Sequence, residues 1–319
     1  MNADREVVLD SRGPVLVIGS SGVDIIGRLC NEIQPGTSNP SQIRIAYGGV
    51  ARNVAENLAR LGYPVILLSA VGLDDRGSAL IEHIQATGVD TSAVVRSAEF
   101  PTGSYLAVVN NRGELQFALD DMRACASITP RLLRKNHLLF EQASLVYIDA
   151  NLSKESLRSA ITIARRAGVP IAADPTSDNL AGRLIPFLGD LYMISPNLTE
   201  AGILCEGSMD AGKRWQVMEM ARKLVGKGIK LVILTLARHG VYYATSETAG
   251  YVPATRTEII DPTGAGDALC AAVVFALLNN FPLDDAIRLG VSAASLTLQH
   301  PGAVYPDLTL EKLYDRLVI

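Results

Sequence analysis

The stretch Asp261-Pro262-Thr263-Gly264-Ala265-Gly266-Asp267 runs without a break into the apolar segment Ala268-Leu269-Cys270-Ala271-Ala272-Val273-Val274. Glycines at 264 and 266 let backbone N–H groups come close to a ligand. A helix that starts here would aim its unpaired donors, and the positive end of its dipole, at an anion. Asp267 falls in the first turn of that helix. A carboxylate beside a phosphate is electrostatically unfavourable unless a divalent cation offsets the charge or the carboxylate takes a proton from an attacking hydroxyl. The combination points to phosphoryl transfer. The same spacing also fits a plain Gly-rich helix start whose Asp complements the dipole, and spacing alone does not separate the two readings. No Gly-Lys-Ser/Thr follows the glycines, so this is neither a Walker A loop nor a dinucleotide fingerprint.

A second cluster opens at Gly48-Gly49. Val50, Val54, Leu58 and Leu61 form one stripe of an amphipathic helix, while Arg52 and Asn53 project from its first turn, where a hydroxyl-rich ligand would meet both side chains and the glycine amides. The competing reading is a solvated polar helix start. Further polar residues close apolar runs: Ser20 and Asp24 after the first, then Asp174-Pro175-Thr176-Ser177, Ser195-Pro196-Asn197-Leu198-Thr199-Glu200, and Thr235. Each alone is an ordinary turn or cap. Open parallel sheets bind ligands beyond the C-terminal ends of their strands, so the accumulation argues for one ligand edge.

The elements that must position these groups alternate. Val15–Gly19, a helix over 50–61, Val65–Leu68, a helix over 76–86, Leu145–Asp149, a helix over 154–167, Ile171–Asp174, Leu191–Ile194, a helix over 211–225 and Leu231–Thr235 predict a doubly wound, mostly parallel α/β sheet. Two segments break the rhythm, within about 20–47 and 94–120. In the second, Ser104–Val109 meets Glu114–Ala118 through Asn110-Asn111-Arg112-Gly113, a hairpin with a glycine in its turn. These strands are expected to form a small β-sheet lid inserted in a single domain spanning 1–319. An exposed lid edge would offer a route to a homodimer.

The chain has 319 residues, 48% of them hydrophobic, with 29 Lys and Arg against 33 Asp and Glu for a net charge of −4. That is enough for an ample core, and without basic runs interleaved with aromatics nucleic acid is a poor partner; a small molecule is the better one. Cys30, Cys125, Cys205 and Cys270 are scattered, as in reduced thiols. His83, His137, His239 and His300 lack metal-ligand spacing and receive no role. The N-terminus carries no signal pattern and no apolar run would span a bilayer, so the expectation is a cytoplasmic protein with no membrane partner.

Gly19-x4-Asp24, Gly48-Gly49-x3-Asn53, Asn197-x2-Glu200 and Asp261-x-Thr263-Gly264-Ala265-Gly266-Asp267 together resemble the ribokinase-like family of sugar and nucleoside kinases, the pfkB carbohydrate kinases, over nearly the whole chain. The resemblance implies a ribokinase-like fold, ATP as donor and Mg2+ as cofactor. It implies Asp267 as general base, with the N–H groups of Gly264, Ala265 and Gly266 as the anion hole. Asp24, Gly48, Gly49 and Asn53 would hold acceptor hydroxyls, and Asn197 and Glu200 would organise Mg2+ through water. Asp174, Asn197, Thr235, Arg238, Gly240 and Thr263 would line the nucleotide, with Ala237 standing where relatives commonly have glycine. Asp261, with the loop 294–302, matches a monovalent-cation site, K+ being the candidate ion. The acceptor-side segments, Ser38-Asn39-Pro40, Gly48 to Ala59 and Ser104-Tyr105-Leu106 to Asp120-Asp121-Met122, resemble most closely the pseudouridine kinases. Ser38, Asn39, Arg52, Tyr105 and Asp121 would then touch the nucleoside. Competing readings are another sugar or nucleoside kinase, such as a ribokinase, fructokinase or purine-nucleoside kinase, and a non-catalytic sensor on the same scaffold.

Overall fold

A computed structural model describes residues 9, 12–206 and 214–317. Among them the strands, in chain order, are β1 (Val15–Gly19), β2 (Gly22–Leu29), β3 (Ser41–Gly48), β4 (Val65–Gly72), β5 (Val95–Ser97), β6 (Gly103–Val109) and β7 (Leu115–Asp121). There follow β8 (Leu145–Asp149), β9 (Ile171–Asp174), β10 (Met193–Ile194), β11 (Leu231–Thr235), β12 (Val241–Ala244) and β13 (Ala249–Val252).

Nine of them form one sheet in the order β13-β12-β11-β10-β9-β8-β1-β4-β5. The pairs from β11 across to β5 are parallel, and only β12 and β13 at one edge run antiparallel. The apolar runs alternate faces with the two-residue period of a strand. In β1, Val15 and Val17 enter a core with the helices Val50–Arg60, Ala265–Leu278 and Leu283–Leu298. Leu16 and Ile18 enter the opposite core with the helices Lys154–Ala167 and Arg214–Gly226. A helix start at 211 would lie outside the described residues. From β1 the chain first builds outward through β4 and β5, and from β8 it builds the other way. The order therefore reverses between β1 and β8, which opens a crevice beyond their C-terminal ends.

The remaining strands make a second sheet in the order β3-β2-β6-β7. Cross-strand register puts Asp24, Ala46, Tyr105 and Asp120 on one face and Ile25, Ile45, Leu106 and Leu119 on the other. The hairpin turn closes with Gly113 N–H donating to the Asn110 carbonyl at 3.0 Å, and Gly113 adopts φ +83°. Residues 94–102 depart from the expected lid. β5 within them pairs with β4 and extends the large sheet. No described helix is long and apolar enough to cross a membrane. The four cysteines are free thiols, Cys125 and Cys270 buried.

Candidate active site

The helix Ala265–Leu278 starts at Gly264, which holds the left-handed φ of +77°, and no side chain caps it. A Cβ on Gly264 would sit 2.0 Å from the Ala303 carbonyl oxygen, so only glycine fits the turn. The first intrahelical bond is Ala268 N–H to Gly264 O at 2.9 Å. The amides ahead of it are left to an external acceptor. Downstream the helix is buried almost all round, packed between Val50–Arg60 and Leu283–Leu298, so its dipole is anchored in the core while its first residues, Ala265 and Gly266, reach solvent.

Asp267 lies in that first turn and is nearly buried. Burial lifts its carboxyl from the ordinary 3.8 to about 7; Asp149 and Asp24 push the same way, and the Asn53 amide and the Arg52 guanidinium pull it partly back. Asn53 Nδ2 donates to Asp267 Oδ2 at 2.6 Å, while Asn53 Oδ1 is buried with no partner. A carboxylate with such a pKa is half ionised near neutrality and suited to taking a proton.

Gly48 and Gly49 are there for space. A Cβ on Gly48 would lie 2.1 Å from Asp24 Oδ1, and one on Gly49, at φ +95°, would lie 2.7 Å from Ser20 O. Together they let the Val50–Arg60 helix start directly against β1 and β2. Ser20 O accepts the Arg52 N–H at 3.1 Å, and Ser20 Oγ accepts the Val50 N–H at 3.1 Å. Burial raises Asp24 to about 6, with Arg52 and Arg44 opposing and Asp261 adding to the rise.

Arg52 departs from the expectation of a side chain projecting toward a ligand. It is 2% exposed, with Nε donating to Gly48 O at 3.2 Å and Nη1 to Glu56 Oε2 at 2.7 Å. Glu56 also receives Arg60 and His83. Burial alone would push Glu56 up, but His83, Arg52 and Arg60 outweigh it and hold the carboxyl down at about 2. Arg52 thus sets the charge beneath the site; its Nη2 is buried with no partner.

The C-terminal ends of β8, β9 and β10 add carboxylates. Asp149 accepts Ser20 N–H and Oγ–H, both at 2.7 Å, and the Ala51 N–H at 3.2 Å, so it ties β1, β8 and the Val50–Arg60 helix into one knot. Asp174 accepts the Thr176 N–H at 2.7 Å, and burial, then repulsion from Asp267 and Glu200, raises it well above the ordinary range. Asn197 and Glu200 form a reciprocal capping box at 2.9 Å each way, at the start of the Leu198–Leu204 helix. No described group of three His, Cys, Asp or Glu side chains is set to ligate a metal directly. Mutually repelling carboxylates with few cations near them do suit a divalent ion that keeps its own waters.

On the neighbouring strand, Thr235 bridges to Asn197 and its N–H donates to Pro196 O at 3.0 Å. Ala237 holds φ +49°, a left-handed conformation that costs a non-glycine residue about 1–2 kcal/mol and would suit the glycine that the resemblance implies at this place. Arg238 is exposed, and Gly240, at φ +91°, packs against Val252 O. Thr263 N–H donates to Asp261 Oδ1 at 3.0 Å, and Arg44 pairs with Asp261 Oδ2.

Residues 14–310 match the pfkB family carbohydrate kinases. The chain belongs to this family. The Escherichia coli pseudouridine kinase is 31% identical over 93% of this chain and 94% of its own, and the Haemophilus influenzae ribokinase 27% over 92% and 94%. The structure of Arabidopsis thaliana ribokinase complexed with ribose and ATP superposes with a TM-score of 0.83 at 23% identity, covering 94% of this chain and 98% of that one, a likeness of fold. The fold is ribokinase-like, and this pfkB member is a sugar or nucleoside kinase.

Not every expected acceptor residue comes to the crevice of this pfkB kinase. Asp121 is corrected to the opposite face of the small sheet, across from Ser104 and ion-paired with Arg123 at 2.7 Å. Its neighbour Asp120 shares the face of Asp24 and Tyr105, and both carboxylates, after burial, help raise the Tyr105 hydroxyl above its ordinary value. Asn39 is engaged with its own loop, accepting the Gln34 N–H at 2.8 Å and donating to Gln34 O and Thr37 O, beside an exposed Ser38. Sequence reasoning missed Asp149, Asp120 and Arg44. Asp149 alone had a local signal, a carboxylate ending the apolar run of β8.

Proposed function

We propose that this kinase transfers the γ-phosphate of ATP to the ribose 5'-hydroxyl of pseudouridine, giving pseudouridine 5'-phosphate and ADP. The observation that carries the reading is Asp267, lifted to about 7 in the first turn of an uncapped helix and held by Asn53. Asp267 takes the hydroxyl proton onto a carboxylate oxygen as the oxygen attacks phosphorus. The N–H groups of Gly264, Ala265 and Gly266 donate to the oxygens over which charge spreads in the transferring group. Asp24, Gly48, Gly49, Asn53 and Tyr105 hold the sugar, with Asp120 beside them and Arg52 tuning the charge below. Thr235, Arg238, Gly240 and Thr263 line the nucleotide.

Asp174, Asn197 and Glu200 would hold Mg2+ through its waters, where the ion would neutralise phosphate charge. The small sheet acts as a lid over the acceptor and excludes water. Its outer face, with Ile43, Ile45, Phe117 and Leu119 exposed, suits pairing with a second copy.

Likeness to the Escherichia coli pseudouridine kinase and the acceptor-side segments support pseudouridine; likeness to a ribokinase supports free ribose as the alternative. The test is an ATP/Mg2+ assay on pseudouridine, uridine, adenosine, inosine, ribose and fructose, read by ADP release and product mass. Selective pseudouridine phosphorylation is expected. Preference for ribose or a purine nucleoside would overturn the acceptor and keep the kinase.

A further inference from the structure

Asp261 opens the loop that leads into the anion-binding helix, and it is 5% exposed. Its Oδ1 accepts the Thr263 N–H at 3.0 Å and its Oδ2 the Gly302 N–H at 3.1 Å, and the Arg44 guanidinium pairs with Oδ2 through Nη2. Both oxygens already face donors. Burial pushes the Asp261 carboxyl up, yet Thr263 and Arg44 together hold it below the ordinary range, so it stays charged.

Arg44 comes from the other sheet. It lies in register with Ile26 on the β2–β3 pair, on the face that carries Asp24, and its Nη1 is buried without a partner. A K+ ion at Asp261 would stand against the guanidinium that already neutralises this carboxylate, and would have to displace a like charge tethered to the same chain. The residues present do not fit the monovalent cation that the family resemblance implies.

The same carboxylate bears on the anion hole. Through Gly302 it holds the turn against which Gly264 packs, since a Cβ at 264 would meet the Ala303 carbonyl. We propose that Arg44 is a positioning residue that supplies the positive charge at Asp261 in place of a bound monovalent cation, fastening the small sheet to the loop that ends in the anion hole, so that turnover is independent of K+. This rests on the kinase reading above.

Wild type, Arg44→Gln and Arg44→Lys are compared in KCl and in choline chloride at equal ionic strength. The readouts are kcat, KM for acceptor and ATP, and melting temperature. Wild type and Arg44→Lys keep the same rate in both salts within about twofold. Arg44→Gln loses roughly tenfold in kcat in choline, and K+ restores part of that loss and raises its melting temperature. A wild type that needs K+, or an Arg44→Gln variant that matches wild type in rate and melting temperature in both salts, overturns the proposal. If no acceptor is turned over, the kinase reading fails by itself. The melting curves then still decide: a K+-specific rise in wild type overturns the charge replacement, and a rise confined to Arg44→Gln supports it.

Discussion

Asn53 Nδ2 donates to Asp267 Oδ2 at 2.6 Å, joining the first turns of two helices across 214 positions of sequence. Each helix begins at a glycine with positive φ, Gly49 at +95° and Gly264 at +77°. Two helix starts therefore meet at one carboxylate, through a side chain from the first and the first turn of the second, and the free Asn53 Oδ1 leaves an acceptor for a substrate hydroxyl.

Asn53→Ala removes both contacts. Acceptor kcat/KM should fall roughly 10- to 100-fold, the loss expected of hydrogen bonds to a charged group. The Asn53 bond lowers the Asp267 pKa, so the acid limb of the pH–rate profile should move to higher pH. An unchanged limb would mean that Asn53 does not touch the base.

The raised Asp267 pKa also affects stability. A carboxyl moved from 3.8 to about 7 binds its proton more tightly when folded, so its contribution is fully present below pH about 4 and is lost as pH rises through about 7. Asp267→Asn should be the more stable protein at pH 8, by on the order of 2 kcal/mol, with the difference closing toward pH 4. Thermal melts at both pH values test this.

Glu56 has the opposite sign. Its depressed pKa gives stability that is present above the ordinary 4.5 and is lost as pH falls through about 2. Glu56→Gln should cost about 3 kcal/mol at pH 7, because Arg52, itself 2% exposed, would lose its charged partner. The variant should also lose less stability on acidification than wild type, measured by denaturant titration at pH 7 and pH 3.

Gly264→Ala and Gly36→Ala separate close packing from backbone preference. Both glycines hold positive φ, but a Cβ on Gly36 meets nothing within 4 Å, whereas at Gly264 it meets Ala303 O at 2.0 Å. Gly264→Ala should lose on the order of 100-fold in kcat as the anion hole opens, and Gly36→Ala should keep its rate. Equal losses in the two variants would show that the contact with Ala303 is irrelevant.

The site was legible wherever chemistry and turn geometry coincide within a few residues. Gly264-Ala265-Gly266-Asp267 and Gly48-Gly49 with Asn53 are such places, because glycine at a helix start carries both signals. The alternation of apolar runs sufficed for the six central strands β11, β10, β9, β8, β1 and β4, since strands buried on both faces need no partner to be identified, but not for β5, β12 and β13 at the edges. It failed where register decides. Asp120 and Asp121 stand side by side, and only pairing with Tyr105 and Ser104 shows which one faces Asp24. Arg52 reads as a side chain projecting toward a ligand because an i,i+4 partner such as Glu56 fits an exposed pair as well as a buried one, whereas in the structure both side chains are 2% exposed. Arg44 was illegible, and the role of Asp149 went unread despite its place at the end of β8, for a related reason. Their partners, Asp261 and Ser20, lie 217 and 129 positions away.

The most direct test of the central claim is Asp267→Asn, assayed for turnover with pseudouridine and ATP and, separately, for equilibrium binding of the acceptor. The expected result is a kcat lower by at least about 1,000-fold with acceptor Kd within a few fold of wild type, because an amide holds the same place but takes no proton. Turnover near the wild-type rate would contradict Asp267 as the base and, with it, this reading of the crevice.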